Sequence, residues 1–175
     1  MTSPRLGGGA VDVPGVGVVV VGGHSVLHTA ELLTCGSNSS CSSTEDNGDV
    51  NWSWRLLPSM LEGRAWPAVA HFRGRVIVAG GNNGESPSVE SLCLSAGVND
   101  PGQWTRLSGL EGRIAWYPSL VVYNERLLLT GCEQEVLELV ASPDSNNSTL
   151  DGCIWKPVFS IQGPTTELMV LRKSR

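Results

Sequence analysis

A short segment of this chain recurs after about 50 residues, and that recurrence limits the folds available to it. Leu61–Arg64 reads Leu-Glu-Gly-Arg, and Leu110–Arg113 reads the same. In both copies an apolar run, a basic residue and a second apolar run follow. A fixed period of this length is typical of repeat architectures, in which each unit packs mainly against its neighbours.

The best-preserved unit, residues 61–109, contains four short β-rich runs separated by turn residues. We predict strands at residues 68–72, 75–79, 88–94 and 103–107, since these runs are apolar or alternate polar with apolar. Arg-Gly, Gly-Gly-Asn-Asn-Gly and Asn-Asp-Pro-Gly separate them. Each unit is therefore expected to form one four-stranded antiparallel sheet, with the two most apolar strands innermost.

Glycines and tryptophans recur at fixed places in the units. Glycine is expected where a strand end needs positive φ and close backbone approach, and tryptophan fits a wedge between adjacent twisted sheets. We predict structural roles for Gly22, Gly23, Gly80, Gly81, Gly131, Trp54, Trp104 and Trp155.

A strand, a glycine pair, a Val-Glu strand and a tryptophan at this period resemble the kelch repeat, whose units are the blades of a β-propeller. The glutamates matched in the three units are Glu31, Glu90 and Glu138. The resemblance implies an all-β fold: a partial kelch-type propeller of three four-stranded antiparallel blades plus the first strand of a fourth. The expected blades are residues 1–60 (with a low-complexity loop at 35–51), 61–109 and 110–160, and 161–175 would be the innermost strand of the next. Three blades and a strand cannot close a ring, so we expect a fragment, a truncated gene product or a half-ring that needs a partner.

Three arginines, Arg5, Arg64 and Arg113, share one repeat position just before each innermost strand. On a propeller they would surround the central channel at one rim. In some kelch-type substrate adaptors this position binds carboxylates of an acidic peptide, which suits the fork of a guanidinium group. The alternative is that each arginine anchors its own turn by hydrogen bonds to backbone carbonyls.

The resemblance implies a protein-interaction module that recognises a protein partner through its rim loops. The setting it suggests is substrate receptor of a cullin-3 ubiquitin ligase, as in BTB–kelch adaptors, and actin binding is the second interpretation. A fragment of a galactose-oxidase-like propeller enzyme is the rival class. Because no convergent set of tyrosine, histidine and cysteine ligands is recognisable, we expect no enzyme and no cofactor.

Charge and composition narrow the partners further. The formal net charge is −5 without a polybasic run, so a nucleic acid is not expected as a partner. The aliphatic run Val16–Val21 is far too short to cross a bilayer, so no membrane association is expected. The five cysteines are an odd number and favour reduced thiols in the cytoplasm.

Candidate metal ligands and nucleophiles are few. His24 and His28 would share a helix face, but the repeat places them after a strand. Cys35 and Cys41 match no common zinc spacing. We therefore predict no catalytic residue and no metal site.

Overall fold

The computed structural model describes residues 1–25, 27–35, 51–81, 88–94, 102–107, 110, 114–132, 135–142 and 150–160. Within these residues the chain forms twelve β-strands in three four-stranded antiparallel sheets. The predicted all-β class and the blade-like sheets are confirmed. No helix within these ranges has the length and apolar character needed to span a membrane.

Blade 1 is a four-stranded meander built from the first repeat unit. Its strands are β1 (Gly9–Val13), β2 (Gly17–Val21), β3 (Ala30–Cys35) and β4 (Trp52–Leu57), and they lie in chain order. Consecutive strands pair antiparallel, and a short turn at residues 14–16 joins β1 to β2. The predicted low-complexity loop at 35–51 lies almost wholly outside the described residues.

Blade 2 repeats this order with β5 (Ala68–Phe72), β6 (Arg75–Ala79), β7 (Val89–Cys93) and β8 (Thr105–Arg106). The first two strands have the bounds that the apolar runs predict. The last strand is shorter than predicted, since only two of its residues pair with β7.

Blade 3 comprises β9 (Ile114–Tyr123), β10 (Arg126–Cys132), β11 (Glu135–Ala141) and β12 (Cys153–Ser160). A short 3-10 helix, Leu150–Gly152, precedes β12. The pairing of β10 and β11 shifts register near the end of β10, so this blade is less regular than the other two. The strand predicted within 161–175 lies outside the described residues.

The three blades stand side by side through their innermost strands. Strand β5 contacts β1 on one side and β9 on the other. Two apolar clusters fill the spaces between the blades, one between blades 1 and 2 and one between blades 2 and 3. Successive side chains of β6 enter opposite clusters: Val76 and Val78 pack toward blade 1, and Ile77 and Ala79 pack toward blade 3. Strand β6 is thus buried on both faces, as its unbroken apolar sequence predicts.

The recurring tryptophans stand at matching positions on the outer part of each blade. Trp104 is buried in the cluster between blades 1 and 2. Its indole N–H donates a hydrogen bond of 2.8 Å to the carbonyl of Pro58, which directly follows β4. Trp155 packs against the second cluster. Trp54, on β4, is partly exposed. Trp104 and Trp155 therefore each lie where two neighbouring blades meet.

Candidate functional site at the entry rim

One edge of the blades is formed by the segments that enter β1 and β5 and the segments that leave β2 and β6. We call this edge the entry rim; it comprises residues 2–8, 22–24, 61–67 and 80–81. Backbone hydrogen bonds cross it from blade to blade, with Gly23 donating to the carbonyl of Arg64 at 2.8 Å and Arg64 donating to the carbonyl of Leu27 at 3.0 Å. The rim is consequently a fixed surface, with its loops tied to one another.

Arg64 lies inside the entry rim. Its guanidinium group contacts Oε1 of Glu90 at 2.6 Å, the carbonyl of Gly80 at 2.6 Å and Oγ of Ser88 at 2.7 Å. Further bonds from Nε to Glu90 and from Nη1 to the Ser88 carbonyl complete the set of five N–H donors. The side chains of Arg64 and Glu90 are both fully buried.

Arg5 makes the equivalent interactions in blade 1. It contacts Oε1 of Glu31 at 2.6 Å, the carbonyl of Gly22 at 2.8 Å and the carbonyl of Thr29 at 3.1 Å. The backbone N–H of Thr2 donates to the other oxygen of Glu31 at 2.7 Å. Burial raises the pKa of Glu31, but the bonds from Thr2 and Arg5 together outweigh it and lower that pKa below its ordinary value.

These contacts correct the expectation that Arg5 and Arg64 present their charges to a partner. Their side chains are 2% and 0% exposed, and each guanidinium group is paired with a buried carboxylate of its own blade. The geometry matches the alternative interpretation, in which each arginine anchors its own turn. Arg113 lies outside the described residues.

Blade 3 departs from the Arg–Glu pattern. Val20 pairs with Glu31 and Val78 pairs with Glu90, but the corresponding residue of β10, Leu129, pairs with Leu137. An apolar side chain therefore replaces the buried carboxylate.

The sequence match of Glu138 to the other two glutamates is wrong by one residue. Glu138 lies on the opposite face of blade 3, where it forms a partly exposed ion pair with Arg126. This contact lowers the pKa of Glu138, since Arg126 donates hydrogen bonds to its carboxylate.

The recurring glycines have left-handed backbone conformations. Gly22 has φ of +64°, and a Cβ atom there would lie 2.5 Å from the carbonyl oxygen of Arg64. Gly81 has φ of +79°, and a Cβ atom there would lie 2.7 Å from the carbonyl oxygen of Ala65. The predicted need for positive φ and close approach is met at both positions. Positive φ also occurs at the other recurring glycines, Gly23, Gly80 and Gly131.

A second polar cluster at the rim was not identified from the sequence. Glu62 accepts hydrogen bonds from Arg106 at 2.5 Å and from the hydroxyl of Ser88. Burial raises the pKa of Glu62, but these two donors outweigh it and lower that pKa. In the sequence, the one sign of Glu62 is its place as the glutamate of the repeated Leu-Glu-Gly-Arg segment. Its partner Arg106 lies 44 residues away in the chain, so the pair could not be predicted from spacing.

Three large apolar side chains are exposed on the same rim. Leu6 is 66%, Leu61 is 50% and Trp66 is 45% exposed. The backbone N–H of Trp66 donates to the carbonyl of Gly7 at 2.7 Å, which joins the segment of Trp66 to the segment that contains Leu6 and Gly7 across the boundary of blades 1 and 2. Trp66 has φ of +60°, a conformation that residues other than glycine adopt rarely.

One of the two candidate histidines also belongs to the rim, since the backbone N–H of His24 donates a hydrogen bond to the carbonyl of Leu6 at 2.5 Å. His24 is exposed beside Ser25, and His28 lies with Nδ1 3.4 Å from the carbonyl oxygen of Met60. Over the described ranges, no group of three or more His, Cys, Asp or Glu side chains is arranged to hold a metal ion. Cys41 lies outside those ranges.

Comparison with known proteins adds no family assignment: no protein-family model matches the chain, and no curated protein matches it.

Proposed function

We propose that this chain is a protein-interaction module that binds a protein partner through the entry rim of its kelch-type blades. The observation that carries the proposal is the exposure of Leu6 and Trp66 on loops that are otherwise fixed by hydrogen bonds. Loops held on a rigid scaffold commonly carry binding residues, and exposed apolar groups on such loops are typical of interaction sites. The resemblance to kelch repeats supports the same class of function.

The proposed setting is a substrate receptor of a cullin-3 ubiquitin ligase, with actin binding as the alternative. Both follow from the kelch resemblance rather than from a site in this chain. Among the three arginines that share this repeat position, Arg113 is the one for which an acidic partner motif is still proposed. The position on β11 where an internal carboxylate would be expected carries Leu137.

Affinity capture tests the proposal. The full chain, immobilised through one terminus, is exposed to cell extract, and bound proteins are quantified with and without excess soluble chain as competitor. We expect at least one protein whose recovery the soluble folded chain abolishes and the heat-denatured chain does not. If no recovered protein is displaced by the folded competitor, the interaction function is contradicted.

Four further measurements test the setting and the partner motif. Recovery of cullin-3 with the captured complex supports the ligase setting, and co-sedimentation of the chain with actin filaments supports the cytoskeletal one. Arg113→Ala should weaken capture if the partner motif is acidic. Peroxide production from galactose after copper loading would instead favour the propeller-enzyme alternative.

A further inference from the structure

We infer that Trp66 is the anchor of the partner-binding surface and that the group it binds is an apolar side chain of the partner, not a carboxylate. This inference rests on the proposed function and names the partner chemistry for it. Gly7 and Trp66 occupy the same repeat position in blades 1 and 2. Each lies two positions after the buried arginine of its blade.

The backbone at this repeat position is left-handed in both blades. Gly7 has φ of +66° and Trp66 has φ of +60°. Glycine adopts this conformation without strain, whereas a bulky side chain adopts it at a cost. Blade 2 therefore holds a strained tryptophan where blade 1 shows that glycine meets the same backbone requirement.

The core of blade 2 does not account for this tryptophan. Its neighbours in sequence, Ala65 and Pro67, are buried, while the side chain of Trp66 is 45% exposed. A strained residue that leaves nearly half of its surface exposed suggests a use at the surface. Tryptophan is also among the residues that contribute most to binding at protein interfaces.

The ring of Trp66 is held in one orientation. A Cβ atom placed on Gly7 would lie 2.7 Å from both Cδ2 and Cε2 of the indole, which are the two atoms shared by its fused rings. That bond can be approached closely only through the face of the ring, so one face of the indole lies on the backbone of Gly7. Glycine at position 7 makes this seat, and a fixed aromatic ring loses little conformational entropy when it binds.

The surroundings of the ring favour an apolar partner group. Leu6, next to Gly7 in the chain, is 66% exposed. The two charged groups closest in the repeat, the guanidinium groups of Arg5 and Arg64, are buried and neutralised by Glu31 and Glu90. An exposed leucine and an indole, with the neighbouring arginine charges enclosed, complement an aliphatic, aromatic or proline side chain.

Selection from a randomised peptide display library on the full chain tests this inference. Selected peptides are synthesised and their affinities are measured for the wild type, Trp66→Asn, Leu6→Ser and Trp52→Asn. Asparagine tolerates the left-handed backbone, so Trp66→Asn should retain the wild-type circular dichroism and melting temperature. Trp52 is 57% exposed on β4 and provides a matched control for the loss of an exposed tryptophan.

We expect peptides that share an apolar residue at one position, and a loss of affinity of about tenfold or more in Trp66→Asn. Trp52→Asn should bind within about twofold of the wild type, and Leu6→Ser should lie between the two. If the selected peptides also displace the captured protein partner from the chain, the partner binds at the same surface as the peptides.

Two outcomes would overturn the inference. If selected peptides bind Trp66→Asn as tightly as the wild type, or share an acidic residue in place of an apolar one, the anchor is elsewhere and the interaction function stands. If the wild type selects no peptide and captures no protein, both proposals fail.

Discussion

At the scale of single residues, the buried charges of the entry rim explain why the arginine position recurs. An isolated guanidinium group is costly to bury, but Arg64 has a partner for each of its donors. The two carbonyls that it holds, those of Gly80 and Ser88, lie on either side of the loop that joins β6 to β7. The arginine therefore closes this loop from within the protein.

Removing the carboxylate of Glu90 is expected to destabilise the protein strongly. Glu90→Gln leaves Arg64 buried without a counter-charge and should lower the free energy of unfolding by about 3 kcal/mol. Urea denaturation followed by circular dichroism measures this change. Glu138→Gln is the control, because its partner Arg126 is half exposed and solvent screens that pair, so a much smaller change is expected. Equal losses in the two variants would contradict a special role for the buried pair.

A comparison of two glycines separates backbone strain from steric exclusion. Gly81 and Gly74 have φ of +79° and +72°, but a Cβ atom on Gly74 would have no atom within 4 Å, whereas one on Gly81 would collide with the backbone at Ala65 and Pro67. Gly81→Ala should therefore cost about 2 kcal/mol more in the free energy of unfolding than Gly74→Ala. Denaturation midpoints of the two variants provide the test, and similar midpoints would argue against close packing at Gly81.

At the scale of elements, the loops before β1 and β5 each depend on a carboxylate of the same blade. Glu90 accepts hydrogen bonds from the backbone N–H groups of Leu61 at 2.7 Å and Glu62 at 3.1 Å, as Glu31 does from Thr2. A carboxylate on the third strand thus holds both the arginine and the start of the loop. Protonation of Glu31 is expected to weaken its interactions in blade 1.

Stability is expected to fall in acid through these loops. The pKa values of Glu31 and Glu62 are lowered in the folded state from an ordinary value of 4.5, so the unfolded state binds more protons as the pH falls. Their stabilisation is complete above pH 4.5 and is lost as the pH drops through the lowered folded values.

Denaturation at a series of pH values checks this sign. Glu62→Gln should be less stable than the wild type near neutral pH but should lose less stability in acid. A steeper acid loss in Glu62→Gln than in the wild type would contradict the assignment.

At the scale of the whole molecule, stability comes from the packing of blade on blade. Each described interface is an apolar cluster, and a tryptophan lies at the outer part of each. Trp104 adds a directional contact, the hydrogen bond to Pro58, to the interface between blades 1 and 2. Neighbouring blades should therefore unfold together, as units of a repeat protein do when their interfaces are strong.

Two substitutions of Trp104 can separate the contribution of packing from that of the hydrogen bond at the interface of blades 1 and 2. Trp104→Phe loses the indole N–H and should cost about 1 kcal/mol beyond its packing change, while Trp104→Ala opens a cavity and should cost about 4 kcal/mol. Hydrogen exchange should show β2 and β6 losing protection together in Trp104→Ala. Substitution of the exposed Trp52 is the control. Loss of protection in β6 alone would argue against coupling of the two blades.

The sequence by itself determined the all-β class, the positions of the inner strands and the repeated glycines and tryptophans. These features depend on side-chain alternation and local backbone conformation, which are encoded over a few residues. The repeat also identified Arg5 and Arg64 as equivalent, but not which way their charges point.

Only the tertiary structure decided the arginine contacts, because each guanidinium group pairs with a carboxylate 26 residues away on the third strand of its blade. It also moved the blade 3 equivalent from Glu138 to Leu137, since a register shift cannot be read from spacing alone. The positive φ and the exposure of Trp66 were likewise visible only in the structure. The repeat thus specified where the rim lies, and the packing of one blade against the next specified which of its side chains are buried and which are exposed.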